Sequence, residues 1–269
     1  MKLLKITGSE YAALDSLFDE TEHISIEALA PEVIDGEPDV KFNGSSVAEY
    51  DAVFAEIPTE NALFGRVALE MIEEMGVRLN YPSTGFFIMS KKNYLYHVLH
   101  EKDVPAPKTA VVATEKAVRN IERQLKGPLV ARKFEESVEI EKTRLETVED
   151  IQEFAEGIDR GNQFVLFQEL RRGDKYRCLV AGDTVISLAD NTESWRFSGD
   201  NLQYHTVSKE KKETVLKTRK AIGTPIAEVL LRGDKVEDVN PNPDLELYTE
   251  LSGKNAYETV AEVLKPEEE

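Results

Sequence analysis

AEVLLRGDKVEDVNPNPD, residues 227–244, reads as two short strands, Ala227 to Leu231 and Lys235 to Val239, linked by Arg232-Gly233-Asp234. Residues two apart on a strand share a face, so Asp238 and Asn240 point together, and an antiparallel partner can bring Glu228 beside them. Three hard oxygen donors would then converge. Such a set suits Mg²⁺, which takes carboxylate, carbonyl and water oxygens together with substrate phosphates. The competing reading is that these acids decorate an exposed hairpin in an acidic chain. The apolar Val236 and Val239 and the rigid pair Pro241 and Pro243 favour a built site.

Upstream, Tyr176 to Ala181 and Thr184 to Ala189 flank Gly182-Asp183, a good hairpin signal. The apolar run Phe164 to Gln168 precedes them, and a charged helix from Ser208 to about Ile222 follows. A smaller lobe is indicated by the strand Ala110 to Ala113, a helix near Glu115 to Leu125, the turn Gly127-Pro128, strands Leu129 to Phe134 and Val138 to Arg144, and a helix Val148 to Ile158. Before the stiff junction at Pro105 and Pro107, Ser90 to Lys102 reads as a helix, and Pro82 to Gly85 as a loop. The N-terminal part alternates strand (Leu3 to Ile6), helix (Tyr11, Leu14, Leu17, Phe18), strand (Asp51 to Ile57) and helix (Leu63, Val67, Leu69, Ile72, Met75, stopping at Gly76). That alternation predicts a small α/β layer with a largely parallel sheet. One last helix precedes a frayed tail, Glu267 to Glu269.

The chain has 269 residues, 41% of them hydrophobic, enough for sizeable cores. Its 51 acidic against 33 basic residues give a formal charge of -18, which opposes nucleic acid and anionic membranes as partners. No apolar signal core and no run of ~18 apolar residues is present, so a soluble, cytoplasmic protein is expected. The single Cys178, inside a strand-like run, reads as a buried, inert thiol. His97 and His100 share a predicted helix face but have no third ligand in view, so they read as exposed or hydrogen-bonded. Nucleophile elbows, zincin motifs, Walker loops and dinucleotide fingerprints are all absent from the sequence.

Asp51-Ala-Val, the Glu70 to Pro82 segment, Lys92 fifteen residues before Pro107, Gly127-Pro-Leu-Val, Phe167-Gln-Glu-Leu, Tyr176-Arg-Cys-Leu-Val-Ala-Gly-Asp, Trp195-Arg and Asp238-Val-Asn occur in this order. In order and spacing, from about Tyr50 to Gly253, they resemble the ATP-grasp carboxylate-amine ligases, and within them the RimK-like glutamate ligases. The resemblance implies an α/β fold with α+β lobes: an N-terminal pre-ATP-grasp domain (1–88), an ATP-grasp small lobe (89–166) and a C-terminal lobe with the metal site (167–269). It implies ATP and Mg²⁺ as cofactors, with Mn²⁺ as an alternative ion, and a carboxylate or amine acceptor that is a small molecule or a protein tail. A homo-oligomer is compatible with it.

By the same resemblance, Lys92 faces the ATP phosphates and Arg132 takes the place of a second phosphate-facing lysine. Gln168, Glu169 and Leu170 lie at the interlobe hinge that receives adenine. Arg177 and Arg196 line the acceptor and phosphate region, and Glu228, Asp238 and Asn240 form the metal set. The implied reaction is amide formation, with glutamate added through an acyl phosphate. Four features depart from the family pattern. The glycine-rich lid after Arg132 is replaced by Phe134-Glu-Glu-Ser-Val-Glu-Ile-Glu, Ser198 stands for a usual asparagine, Arg132 stands for a lysine, and the two metal carboxylates are exchanged in type. Acidic, side-chained residues hinder the close approach of backbone to phosphate. Lys133 could replace the missing lysine only with a register change, because neighbouring strand residues face opposite ways. The glycine-free lid motivates a second reading, a degenerate, non-catalytic ATP-grasp domain that binds nucleotide or a protein partner.

Overall fold

The computed structural model describes all residues except 9, 10, 126, 136, 137, 157, 159–162 and 267–269. Glu136 and Ser137 of the expected lid, and the tail Glu267 to Glu269, therefore lie outside the described residues.

Three sheets carry the site. In the N-terminal layer four parallel strands run in the order Glu20–Ile24, Lys2–Ile6, Ala52–Ala55, Arg78–Leu79. Ala52–Ala55 is buried throughout, as a continuous apolar run in a parallel sheet should be. Helix Ala62–Glu74 covers this sheet through Ala62, Gly65, Ala68, Leu69, Met71 and Ile72. Leu63 and Val67, expected on its inner face, are 75% and 46% exposed instead. The inner stripe combines Leu69, Met71 and Ile72 with the small Ala62, Gly65 and Ala68, whose weak hydrophobic signal hid its first two turns.

The expected helix through Tyr11 and Phe18 is a single turn, Ala12–Asp15, after which the chain enters the strand Glu20–Ile24. Next comes a small antiparallel sheet of Ala30–Ile34, Glu37–Phe42 and Ser45–Ser46, absent from the sequence reading. Its two turns are Asp35-Gly36 and Asn43-Gly44, with all four residues at positive φ, the conformation that two-residue hairpin loops require. Those dipeptides were the available signal. A helix, Ser83–Ser90, also replaces the expected loop around Pro82 to Gly85, and the Ser83 N–H donates to the Glu73 carboxylate at 2.7 Å. The expected last helix is two helices, Leu245–Ser252 and Ala256–Leu264, broken at Gly253.

In the small lobe an antiparallel sheet runs in the order Val138–Leu145, Leu129–Glu135, Gln163–Glu169, Thr109–Val112. Helices Glu115–Gln124 and Val148–Ala155 back it, the second opened by a reciprocal Thr147/Asp150 capping box. The C-terminal lobe is a five-stranded antiparallel sheet, ordered Leu202–Tyr204, Thr184–Asp190, Lys175–Ala181, Ile226–Arg232, Lys235–Asn240. Both expected hairpins close with two-residue turns, Gly182-Asp183 and Gly233-Asp234. This sheet and the N-terminal layer share apolar cores: Leu3 and Phe54 pack with Leu179 and Ile186, and Leu4 and Val53 with Cys178 and Val229. The small lobe keeps a core of its own around Val118, Ile121, Leu129, Val165 and Phe167. A cleft between the lobes follows from that division. No described helix is long and apolar enough to cross a membrane.

Candidate active site in the interlobe cleft

The strands Ile226–Arg232 and Lys235–Asn240 pair with Glu228 opposite Asn240 and Leu230 opposite Asp238. A bulge beside Leu230/Leu231 takes up one residue, so that Glu237 turns to the buried Arg232 while Asp238 and Asn240 stay on the Glu228 face. Glu228, Leu230, Asp238 and Asn240 form one wall of a cavity of about 600 Å³. The other walls carry Lys92, Arg132, Phe134, Glu139, Arg177 and Phe197.

Charge in this cavity is tightly paired. Lys92 reaches Asp238 Oδ1 at 2.6 Å and donates to the Val239 carbonyl at 2.6 Å. Arg132 donates to Asp238 Oδ2 at 3.0 Å, and its Nε donates to Glu139. Burial pushes the Asp238 carboxyl up, but Lys92 and Arg132 outweigh it and hold the group well below the usual carboxylate range. Burial lowers the Lys92 ammonium against the pull of Asp238, and Arg132 adds to the lowering. Glu228, 1% exposed, is gripped bidentately by Arg177 at 2.8 and 3.1 Å and accepts from Tyr248 at 3.0 Å and Asn240 at 3.2 Å. Against the burial that lowers it, bonding to Glu228 raises the Arg177 guanidinium; burial, then Glu228, pushes the Tyr248 hydroxyl far up.

Two carboxylates and an amide oxygen on one sheet face are the donor chemistry of a hard divalent cation. Among the described residues no group of three or more His, Cys, Asp or Glu gathers for a metal. The Glu228 oxygens already accept from Arg177, Tyr248 and Asn240, and Asn240 Oδ1 accepts from the Asn242 N–H at 3.0 Å. In this structure the carboxylates of the set are held by cations of the protein, Asp238 by Lys92 and Arg132 and Glu228 by Arg177.

Lys92, Arg132, Arg177, Glu228, Asp238 and Asn240 therefore meet around one cavity. Arg196 does not: it is exposed, lies over the Trp195 ring and donates to the Lys142 carbonyl. Gln168 is buried beside Thr109. At the hinge the Glu169 N–H donates to the Lys108 carbonyl at 3.0 Å and the Leu170 N–H to Pro128 at 2.9 Å. Lys133 points to the outer face, its ammonium 5.4 Å from the Phe154 ring centre, as strand alternation requires. His97 is exposed near Glu101, and His100 bonds the Pro107 carbonyl, so the pair forms no metal site. Cys178 is buried, and burial pushes its thiol up, away from reactivity. Sequence reading passed over Glu139 and Lys142, both on strand Val138–Leu145, and Tyr248 on helix Leu245–Ser252; strand register sets Glu139 at the cavity and Lys142 opposite Arg132, and helix packing brings Tyr248 to Glu228.

No family model matches the chain. It is similar to a protein of Shewanella loihica named "Probable alpha-L-glutamate ligase", 24% identical over 253 residues, covering 87% of this chain and 84% of that one. Among solved structures it superposes on the ATP-grasp ligase PsnB complexed with precursor peptide PsnA2 and AMPPNP, with a TM-score of 0.74, 14% identity, and coverage of 98% of this chain and 95% of that one. It also superposes on a RimK domain protein ATP-grasp from Sphaerobacter thermophilus, with a TM-score of 0.68, 16% identity, and coverage of 98% and 99%.

Proposed function

We propose, from the premise that this chain is an ATP-grasp protein similar to the RimK-like ligases, that it is an ATP- and Mg²⁺-dependent carboxylate-amine ligase whose amide product carries an added glutamate. The observation that carries the reading is the convergence of Lys92, Arg132 and Arg177 with Glu228, Asp238 and Asn240 around one interlobe cavity. In this reading a substrate carboxylate takes the γ-phosphoryl group of ATP, ADP leaves, and an amine displaces phosphate from the acyl phosphate. Mg²⁺ held by Glu228, Asp238 and Asn240, or Mn²⁺ in its place, would neutralise polyphosphate charge. Lys92 and Arg132 would exchange their carboxylate partners for phosphate oxygens, and Arg177 would hold the transferred phosphoryl group or the substrate carboxylate. Gln168, Glu169 and Leu170 would border the adenine through the backbone of the hinge. Arg196 would take part only by leaving the Lys142 carbonyl. Catalysis of this kind is positioning and electrostatics, with no protein nucleophile.

A second reading is favoured by the pairing of Glu139 with Arg132: a lid-strand carboxylate already occupies a cation assigned to phosphate, as in a degenerate domain that binds a partner without turnover. One series of measurements separates the two. Mg-ATP titrated during thermal unfolding should raise the apparent stability, by about 2.7 kcal/mol at a hundredfold excess over Kd. Addition of glutamate and candidate acceptors should then release ADP, and Asp238→Ala should abolish that release. A flat titration at millimolar Mg-ATP would refute nucleotide binding; a shift without ADP release under any acceptor would favour the non-catalytic reading.

A further inference from the structure

We infer that Lys142 is the phosphate-binding lysine of the small lobe, serving from the neighbouring strand in the place where Arg132 stands on its own. This rests on the ATP-site reading above. In the antiparallel pair of Val138–Leu145 with Leu129–Glu135, Lys142 lies directly opposite Arg132, and directly opposed residues send their side chains to the same face. Arg132 on that face lines the cleft cavity. Lys133 sits on the other face of the same hairpin, over Phe154.

Among the described residues, the buried cations around the cleft are otherwise committed to carboxylates, while the exposed Arg196 donates to a backbone carbonyl. Lys92 pairs with Asp238, Arg132 with Asp238 and Glu139, Arg177 with Glu228, Lys175 with Asp190, and Arg232 with Glu237. Lys142 makes no ion pair with any described residue; its ammonium lies 5.8 Å from the centre of the Trp195 ring. It is only half-exposed, and burial together with the nearby Arg132 holds its ammonium below the usual lysine value. Asp238, Glu237 and Glu139 act on this ammonium from nearby, but none pairs with it directly, so an anion arriving at Lys142 breaks no ion pair of that lysine, as it must at a cation already paired. The place is fixed as well, because Arg196 of the C-terminal lobe donates to the Lys142 carbonyl and ties this strand to the opposite wall of the cleft. A compact, mobile ammonium at the seam of two lobes suits a polyphosphate, whose charge is spread over several oxygens.

The test measures Mg-ATP and Mg-ADP affinity by calorimetry, and the nucleotide-induced thermal shift, in the wild type and in Lys142→Met, Lys142→Arg and Lys133→Met. The Lys133 variant makes the same charge change on the outer face and controls for the general field of a chain carrying -18. Lys142→Met should weaken nucleotide binding by about tenfold or more, Lys142→Arg should recover most of the loss, and Lys133→Met should stay within about twofold of wild type. The assignment is overturned if Lys142→Met binds as the wild type does, or if both methionine variants lose affinity equally. Wild-type binding with an unaffected Lys142→Met variant sinks this inference alone. A wild type that binds neither nucleotide at millimolar concentration sinks it together with the ATP-site reading.

Discussion

Arg177→Met should destabilise the protein more than any other single loss of charge in the cleft. Glu228 is 1% exposed and its only cationic partner among the described residues is Arg177, which grips it at 2.8 and 3.1 Å; Tyr248 and Asn240 are neutral donors. Removing the guanidinium strands a carboxylate in the core, a change that costs about 3–5 kcal/mol. Glu228→Gln should cost less, about 1–3 kcal/mol, because the Arg177 side chain is 19% exposed at the cavity wall and can recover water when its partner is lost. The double variant Arg177→Met/Glu228→Gln removes both charges and should regain much of the Arg177→Met loss, giving a coupling energy of about 2 kcal/mol or more. Urea unfolding followed by circular dichroism measures all four proteins, provided the slope of the transition stays constant across them. The reasoning fails if Arg177→Met falls within about 1 kcal/mol of wild type, or if the two single losses simply add in the double variant.

Acid should reveal the Asp238 cluster. The folded-state carboxyl is depressed, so its contribution is fully present above the unfolded value of about 3.9 and drains away as pH falls from there through the lower folded value. Asp238→Asn should therefore be less stable than wild type at neutral pH and should show a shallower loss of stability below pH of about 4; parallel acid limbs in the two proteins would contradict the assigned pairing with Lys92 and Arg132. Gly65→Ala on helix Ala62–Glu74 would set a Cβ 2.6 Å from Ile57 Cγ2, and the overpacking should cost about 1–3 kcal/mol, read as a lower melting temperature; an unchanged or raised melting temperature would show that Ile57 gives way freely.

Much of the architecture followed from local pattern. Parallel pairing of Lys2–Ile6 with Ala52–Ala55 came from apolar runs alternating with helical periodicity, and both C-terminal hairpins came from Gly-Asp between such runs, whereas the strand Glu20–Ile24 was not read. Asp35-Gly36 and Asn43-Gly44 carried a turn signal of the same kind, yet the strands they join are half-exposed and polar, so period-two alternation was faint there. Helix Ala62–Glu74 buries Leu69 and Ile72 as read, but in its first half glycine and alanine face the core while Leu63 and Val67 face out.

The sequence by itself determined which carboxylates share a strand face, since alternation is a property of the backbone: Asp238 and Asn240 are aligned, and Glu228 lies opposite Asn240. It also determined that Lys133 could not serve the cleft. What only the tertiary structure decided is the electrostatic bookkeeping of the site. Asp238 meets a lysine 146 positions earlier on a helix of another layer and an arginine 106 positions earlier on a strand of another lobe, while Glu139 takes the remaining face of that arginine. Partner choice at such separations depends on how three sheets dock through shared cores, and that docking is set by the summed packing of many apolar side chains. Lys142, opposite Arg132 and in no ion pair with a described residue, is the residue that no local pattern could have singled out.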